Sequence, residues 1–168
     1  MLYTVTALNC PPTLEDAIVL AVQAHHGQVY PTPGGEPFIR HPLRVMLQVE
    51  ADIERIVAVL HDLVEDTPYT LDDVRRLGYP DEAIEALDRL TRREGEAYEE
   101  YIGRIASHPI ARRVKLADLT DNLANSRRLE ANAENHERIE RYERARERLT
   151  TMPVAGQQLQ PGPVVGHG

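Results

Sequence analysis

The run from Ile53 to Leu60 is largely apolar, reads as a buried helix, and leads straight into His61-Asp62-Leu63-Val64-Glu65-Asp66, where four of six residues are ionisable. Side chains three and four apart share a helix face. A helix from about Asp52 to Glu65, stopped by Pro68, therefore sets Asp62 below Glu65 and Asp66, with His61 one turn before Glu65. Burying that much charge unpaired costs several kcal/mol. A divalent metal ion is an economical compensation, because imidazole nitrogen and carboxylate oxygen are both ligands and an adjacent pair can reach one ion. A solvated polar helix end is the plain alternative.

The flanking chain reads as further helices joined by loops. Pro11-Pro12-Thr13 before Leu14-Glu15-Asp16 is a helix start with Thr13 as N-cap, and Leu14, Ile18, Ala21, Val22 and His25 recur at helical spacing up to Gly27. Tyr30 to Pro37 holds three Pro and two Gly, which reads as an irregular loop. Pro42 suits the first turn of a helix over Leu43 to Val49, leaving His41 at its N-terminal end. Thr70 caps a short helix ending at Gly78, and Pro80 opens another with Ile84, Leu87 and Leu90 as its apolar face. Two more run from Ala97 to Ile105 and, past His108-Pro109, from Ile110 to about Leu129. Asn132 to Leu149 is dense in Arg and Glu at helical spacing and reads as an exposed helix laced with ion pairs. Tyr3-Thr4-Val5-Thr6 is too short to indicate a sheet, so the fold class expected is all-α, a bundle of about seven to eight helices. One domain over residues 1–150 followed by a Pro- and Gly-rich disordered tail over 151–168 is the expected organisation.

Composition narrows the function. A formal charge of −8 argues against binding a nucleic-acid polymer, which calls for a basic stripe, but leaves room for a small anionic substrate at a metal. Cys10 is the single cysteine, so no intrachain disulfide or cysteine zinc site is expected. With no membrane-length apolar run and no basic leader, a cytoplasmic protein without a membrane partner is expected.

Lys115-Leu116-Ala117-Asp118 places a carboxylate in an otherwise apolar helix, with Asn122 four residues on along the same face. His41, His61, Asp62 and Asp118 together supply two imidazoles and two carboxylates, a set suited to manganese or another divalent first-row metal with open positions for water. Such an ion brings water toward neutral acidity, and Glu65 and Asp66, one turn beyond, are placed to orient it and move protons. Arg40, Arg44 and Lys115 are the basic candidates for a phosphate-rich substrate. His25 and His26 read as packing and surface residues.

His61 to Asp66 as HDxxED, the upstream Ala24-His25-His26-Gly27-Gln28, the run Gly35 to Pro42 and the segment KLAD follow in the order that resembles HD-domain hydrolases of the RelA/SpoT type. The chain length is similar to that of the stand-alone small alarmone hydrolases, of the metazoan SpoT-homologue kind. The resemblance implies manganese-dependent removal of the 3′-pyrophosphate from (p)ppGpp, giving GDP or GTP. It implies metal ligation by His41, His61, Asp62 and Asp118, water handling by Glu65 and Asp66, and nucleotide contact by Asn122. Two places depart from the pattern. Tyr30 stands where the family carries a base-stacking cation, and an aromatic face there is a candidate base contact. Where the family reads ADRLHN, this chain reads Ala117-Asp118-Leu119-Thr120-Asp121-Asn122. A phosphohydrolase of another nucleotide, such as NADPH or a nucleoside phosphate, and a non-catalytic nucleotide sensor are therefore the competing expectations.

Overall fold

Local capping chemistry sets where the helices begin. The computed structural model describes residues 11–152, which hold nine helical segments and one two-stranded hairpin. Thr13 and Asp16 exchange side-chain-to-amide bonds in a capping box that opens α1 (Leu14–Ala24). After a short hairpin, β1 (Val29–Tyr30) and β2 (Glu36–Pro37), come α2 (Arg40–Met46) and α3 (Asp52–Leu60). A single further turn, α4 (Leu63–Asp66), continues α3 beyond a break. Thr70 and Asp73 form a second capping box at α5 (Leu71–Arg76), and α6 (Asp81–Leu90) starts behind Pro80. Next come α7 (Tyr98–Ala106) and α8 (Pro109–Ser126), the latter with Pro in its first turn and the His108 ring accepting from the Ala111 amide. Asn132 caps the last helix, α9 (Ala133–Thr151).

The fold is all-α apart from that hairpin. Two helices form its centre. The last turn of α3 is apolar all round, and Val57, Ala58, Val59 and Leu60 are fully buried, because α1, α2, α6 and α8 surround it. α8 in turn touches α2, α3, α6, α7 and α9. It buries Val114, Leu119 and Leu123 alongside the polar Asp118, Asp121 and Asn125.

Four details differ from the sequence expectation. The helix through the HDxxED stretch is not continuous: α3 ends at Leu60, and Asp62, at φ −95° and ψ 0°, lies between it and α4. The segment Tyr30 to Pro37 is not wholly irregular. Tyr30 pairs with Glu36 and Val29 with Pro37, across a turn in which Gly34 and Gly35 take the positive φ that other residues avoid. α2 begins at Arg40 and already ends at Met46, so His41 sits within its first turn instead of preceding it. The charge-dense α9 does carry surface ion pairs, Arg138 with Glu134 and Arg144 with Glu140, but it also docks through buried Ala145 and Leu149. Tyr3 to Thr6, Cys10 and the tail beyond Met152 lie outside the described residues.

Leu149→Ala should lower the free energy of unfolding in urea by about 2–5 kcal/mol, the range for emptying a buried leucine site. Arg144→Ala, on the solvated side of the same helix, should change it by about 0.5 kcal/mol or less.

Candidate metal centre

α2, α3 and α8 touch one another pairwise, and each brings part of one cluster to the junction. His41 comes from the first turn of α2, His61 and Asp62 from the break after α3, and Asp118 from the middle of α8. One ligand atom each of His41, His61 and Asp62 lies within 4.8 Å of the others. Asp62 Oδ2 is 3.5 Å from His41 Nε2 and 3.1 Å from His61 Nε2. Asp118 Oδ1 approaches the same two nitrogens at 3.2 and 3.6 Å. Both rings and Asp118 are buried. Four side chains from three separate stretches of the sequence thus converge on one point.

Hydrogen bonds settle which ring nitrogens face that point. The Ala58 carbonyl can only accept, so at 2.7 Å it fixes the proton of His61 on Nδ1. His41 Nδ1 likewise faces a carboxylate, Asp121 Oδ2, at 2.7 Å. In the neutral form of each ring Nε2 carries the lone pair and faces the cluster, and His61 Nε2 is buried without a hydrogen-bond partner. A buried acceptor with nothing to accept from is costly. Two imidazole nitrogens and two carboxylate oxygens form a donor set that fits a divalent first-row ion.

Charge within the cluster is finely opposed. Burial alone would discharge the imidazoles, but Asp118 and then Asp121 at His41, and Asp62 and then Asp118 at His61, outweigh it and raise both above the ordinary histidine value. Burial would likewise protonate Asp118, yet Lys115 first, then the two histidines, hold its carboxyl well below the usual range. Lys115 Nζ sits 2.7 Å from Asp118 Oδ2, leaving Oδ1 turned to the rings.

The remaining sequence candidates occupy varied positions. Glu65 and Asp66 stand exposed at the rim. Burial of part of each carboxyl, then the charge of Asp62, raises both above the ordinary value, and for Glu65 a bond from the Arg92 amide works against that rise. Asn122 donates to Asp118 Oδ1 at 2.5 Å and accepts from the Tyr30 hydroxyl at 2.6 Å, so its amide is engaged at both ends. Tyr30 does not offer an open ring face: it is 5% exposed and stacks on His41, centroids 4.7 Å apart and planes 8° from parallel. The side chain of Arg40 is 62% exposed and pairs with Glu36. Lys115 is spent on Asp118 and lies over the Tyr101 ring at 5.2 Å. His25 is buried, stacked on Phe38 and bonded to Gln28, whose amide anchors the Asp66 carbonyl. Sequence reasoning missed Asp121. Its signal was its spacing, three residues after Asp118 and thus on a neighbouring face of α8.

No family model matches the chain. It is 32% identical over 124 residues to the bifunctional (p)ppGpp synthase/hydrolase SpoT of Escherichia coli K12, across 66% of this chain and 17% of that protein. The chain thus spans about a sixth of the length of that relative, 17%. It is 36% identical over 129 residues to the guanosine-3′,5′-bis(diphosphate) 3′-pyrophosphohydrolase MESH1 of Mus musculus, across 68% of this chain and 70% of that one. A solved structure, described as a metazoan ortholog of SpoT that hydrolyzes ppGpp and plays a role in starvation responses, matches with a TM-score of 0.72. It is 21% identical and the match covers 89% of this chain and 91% of that one, a likeness of fold.

Adding manganese to metal-free protein should raise the thermal midpoint, by about 2.7 kcal/mol of stability at a hundredfold excess over Kd. Asp62→Ala should abolish the rise. Because the raised histidine values keep protons on the rings above the ordinary pH range, manganese affinity should climb with pH through neutrality as those protons leave. Calorimetric titrations at about pH 6, 7 and 8, spanning the ordinary histidine value, measure it, and a flat series speaks against ligation by both rings.

Proposed function

Given that the chain belongs to the family of the SpoT- and MESH1-type guanosine-3′,5′-bis(diphosphate) 3′-pyrophosphohydrolases, we propose that it removes the 3′-pyrophosphate of (p)ppGpp, using manganese held by His41, His61, Asp62 and Asp118. The observation that carries this reading is the cluster of two Nε2 lone pairs and two carboxylates at the meeting of α2, α3 and α8. The relative of comparable size, MESH1, is named for hydrolysis alone, which favours hydrolysis over synthesis. A cytoplasmic location goes with this reading.

Manganese, when bound, supplies Lewis acidity and makes water a better nucleophile. The protein's own groups do the rest. His41 and His61 are held as the tautomers that present Nε2, and Lys115 keeps one oxygen of Asp118 turned inward. Glu65 and Asp66, one turn beyond Asp62, orient the attacking water and take its proton on a carboxylate oxygen. Water adds to the phosphorus bonded to the ribose 3′ oxygen and that P–O bond breaks. Pyrophosphate departs, and the ribose oxygen leaves as a hydroxyl with the proton returned to it. Asn122, beside Asp118, is the residue assigned to nucleotide contact, its amide exchanging the Tyr30 hydroxyl for the ligand. Arg40 and Lys115 are the basic side chains assigned to the phosphates, each exchanging its present carboxylate partner, Glu36 or Asp118, for the substrate.

A second reading has one observation in its favour. Tyr30, where the family pattern puts a base-stacking cation, has its ring against His41, so guanine loses that contact and another nucleotide gains ground. Incubation of the protein with manganese and, separately, ppGpp, pppGpp, NADPH and GTP decides between them. Pyrophosphate from ppGpp is the expected product; orthophosphate released only from another nucleotide transfers the assignment to the second reading. Glu65→Gln should keep metal binding and lose about a hundredfold or more in kcat. Full rate in that variant would remove Glu65 from the mechanism.

A further inference from the structure

His41 is gripped on both edges of its ring. One edge gives Nε2 to the cluster. At the other, Nδ1 meets Asp121 Oδ2 at 2.7 Å, in a setting where Asp121 is only 8% exposed. Asp121 is itself clamped: Arg44 Nε donates to Oδ1 at 2.6 Å and Arg44 Nη2 to Oδ2 at 3.0 Å. Arg44 Nη1 is in turn held by Glu36 Oε1 at 2.6 Å, from β2 of the hairpin. The imidazole stands between Asp121 and the cluster, which excludes this carboxylate from the ligand set. It also explains why Arg44, a basic candidate for phosphate on sequence grounds, is committed elsewhere.

We propose that Asp121 is a positioning residue of the metal centre, fixing His41 in the one tautomer and ring orientation that turn a bare Nε2 toward the ion, with Arg44 and Glu36 holding it in register. This rests on the metal-centre reading above. Stacking on Tyr30 fixes the plane of the His41 ring but does not distinguish its two edges, since a ring flipped by half a turn stacks equally well. The bond to Asp121 does distinguish them. An ionised carboxylate only accepts, so the ring proton is drawn to Nδ1 and the lone pair stays on Nε2. A charged partner also makes Nε2 a stronger donor than a neutral one does. The two histidines are therefore unequal ligands, because His61 leans on a backbone carbonyl and His41 on a carboxylate. The RelA/SpoT-type segment ADRLHN has histidine where this chain has Asp121.

The plain alternative is that Asp121 serves only to tie α8 to α2 through Arg44. Manganese Kd by calorimetry and the thermal midpoint of the metal-free protein separate the two, measured on wild type, Asp121→Asn, Asp121→Ala and Arg44→Gln. Asparagine still accepts from Nδ1 but is neutral, whereas alanine accepts nothing. The expected order is a loss of about tenfold in manganese affinity for Asp121→Asn and up to about a hundredfold for Asp121→Ala, the range for losing a ligand's outer partner. Arg44→Gln, which keeps the carboxylate, should lose less than Asp121→Ala. Manganese affinity within twofold of wild type in Asp121→Ala, whatever its midpoint, overturns the proposal. So does an equal loss in Arg44→Gln and Asp121→Ala, which would assign the effect to the helix tie. Wild-type protein that takes up no manganese overturns the metal centre itself, and this inference with it.

Discussion

Adjacent side chains on a regular helix diverge by about 100°, and in this fold the helix gives way where His61 and Asp62 address one point. It gives way there because the His61 ring takes the Ala58 carbonyl, the group the Asp62 amide would claim in an unbroken helix. Asp62 then relaxes to φ −95° and ψ 0°, and the chain resumes helical bonding from the Asp66 amide back to the Asp62 carbonyl. The same bond that breaks the helix fixes the His61 tautomer. Local backbone geometry and ligand chemistry are thus set by one contact, and α2 and α8 are packed so that His41 and Asp118 meet it.

The parts legible in the sequence were those governed by neighbours in the chain. Thr13 and Thr70 announced their helices through acids three residues on, and Pro80 and Pro109 did so through ring geometry. The residue types of the cluster were legible too, because a buried His-Asp pair and a lone Asp in an apolar helix demand compensation. The helix break was not, since HDLVED has good helical periodicity and the interruption comes from the His61 ring folding back on the Ala58 carbonyl, a side-chain choice that periodicity does not register. Tyr30 was misplaced for a related reason. A two-residue strand carries no usable alternation, and it is the pairing of Tyr30 with Glu36 that turns the ring inward against His41. Asp121 went unnoticed because an acid in a charged protein is unremarked until something buries it.

The inward turn of Tyr30 links the hairpin to the cluster. Its ring packs on His41, its hydroxyl reaches Asn122, and Asn122 reaches Asp118, so one side chain touches groups from both α2 and α8. Burial, then the charges of Asp118 and Asp121, push the phenol well above its usual value, which keeps it a donor. The segment that distinguishes this chain from the RelA/SpoT pattern is therefore wired to His41 and Asp118. A change in substrate preference and a change in ligand support are, in this fold, changes to the same few residues.

Charge completes the picture. Asp62, Asp118, Asp121, Glu65 and Asp66 crowd one region of a chain whose formal charge is −8. The nearby cations are already committed, Arg44 to Asp121 and Glu36, Lys115 to Asp118, Arg40 to Glu36. A polyanionic nucleotide approaching the protein without metal meets a region that repels it. A divalent ion reverses the local sign, so attraction for phosphate arrives with the ion. On the proposed function, metal and substrate binding are thermodynamically coupled, and by reciprocity a nucleotide whose phosphates touch the ion would tighten the hold of the protein on that ion by the same factor.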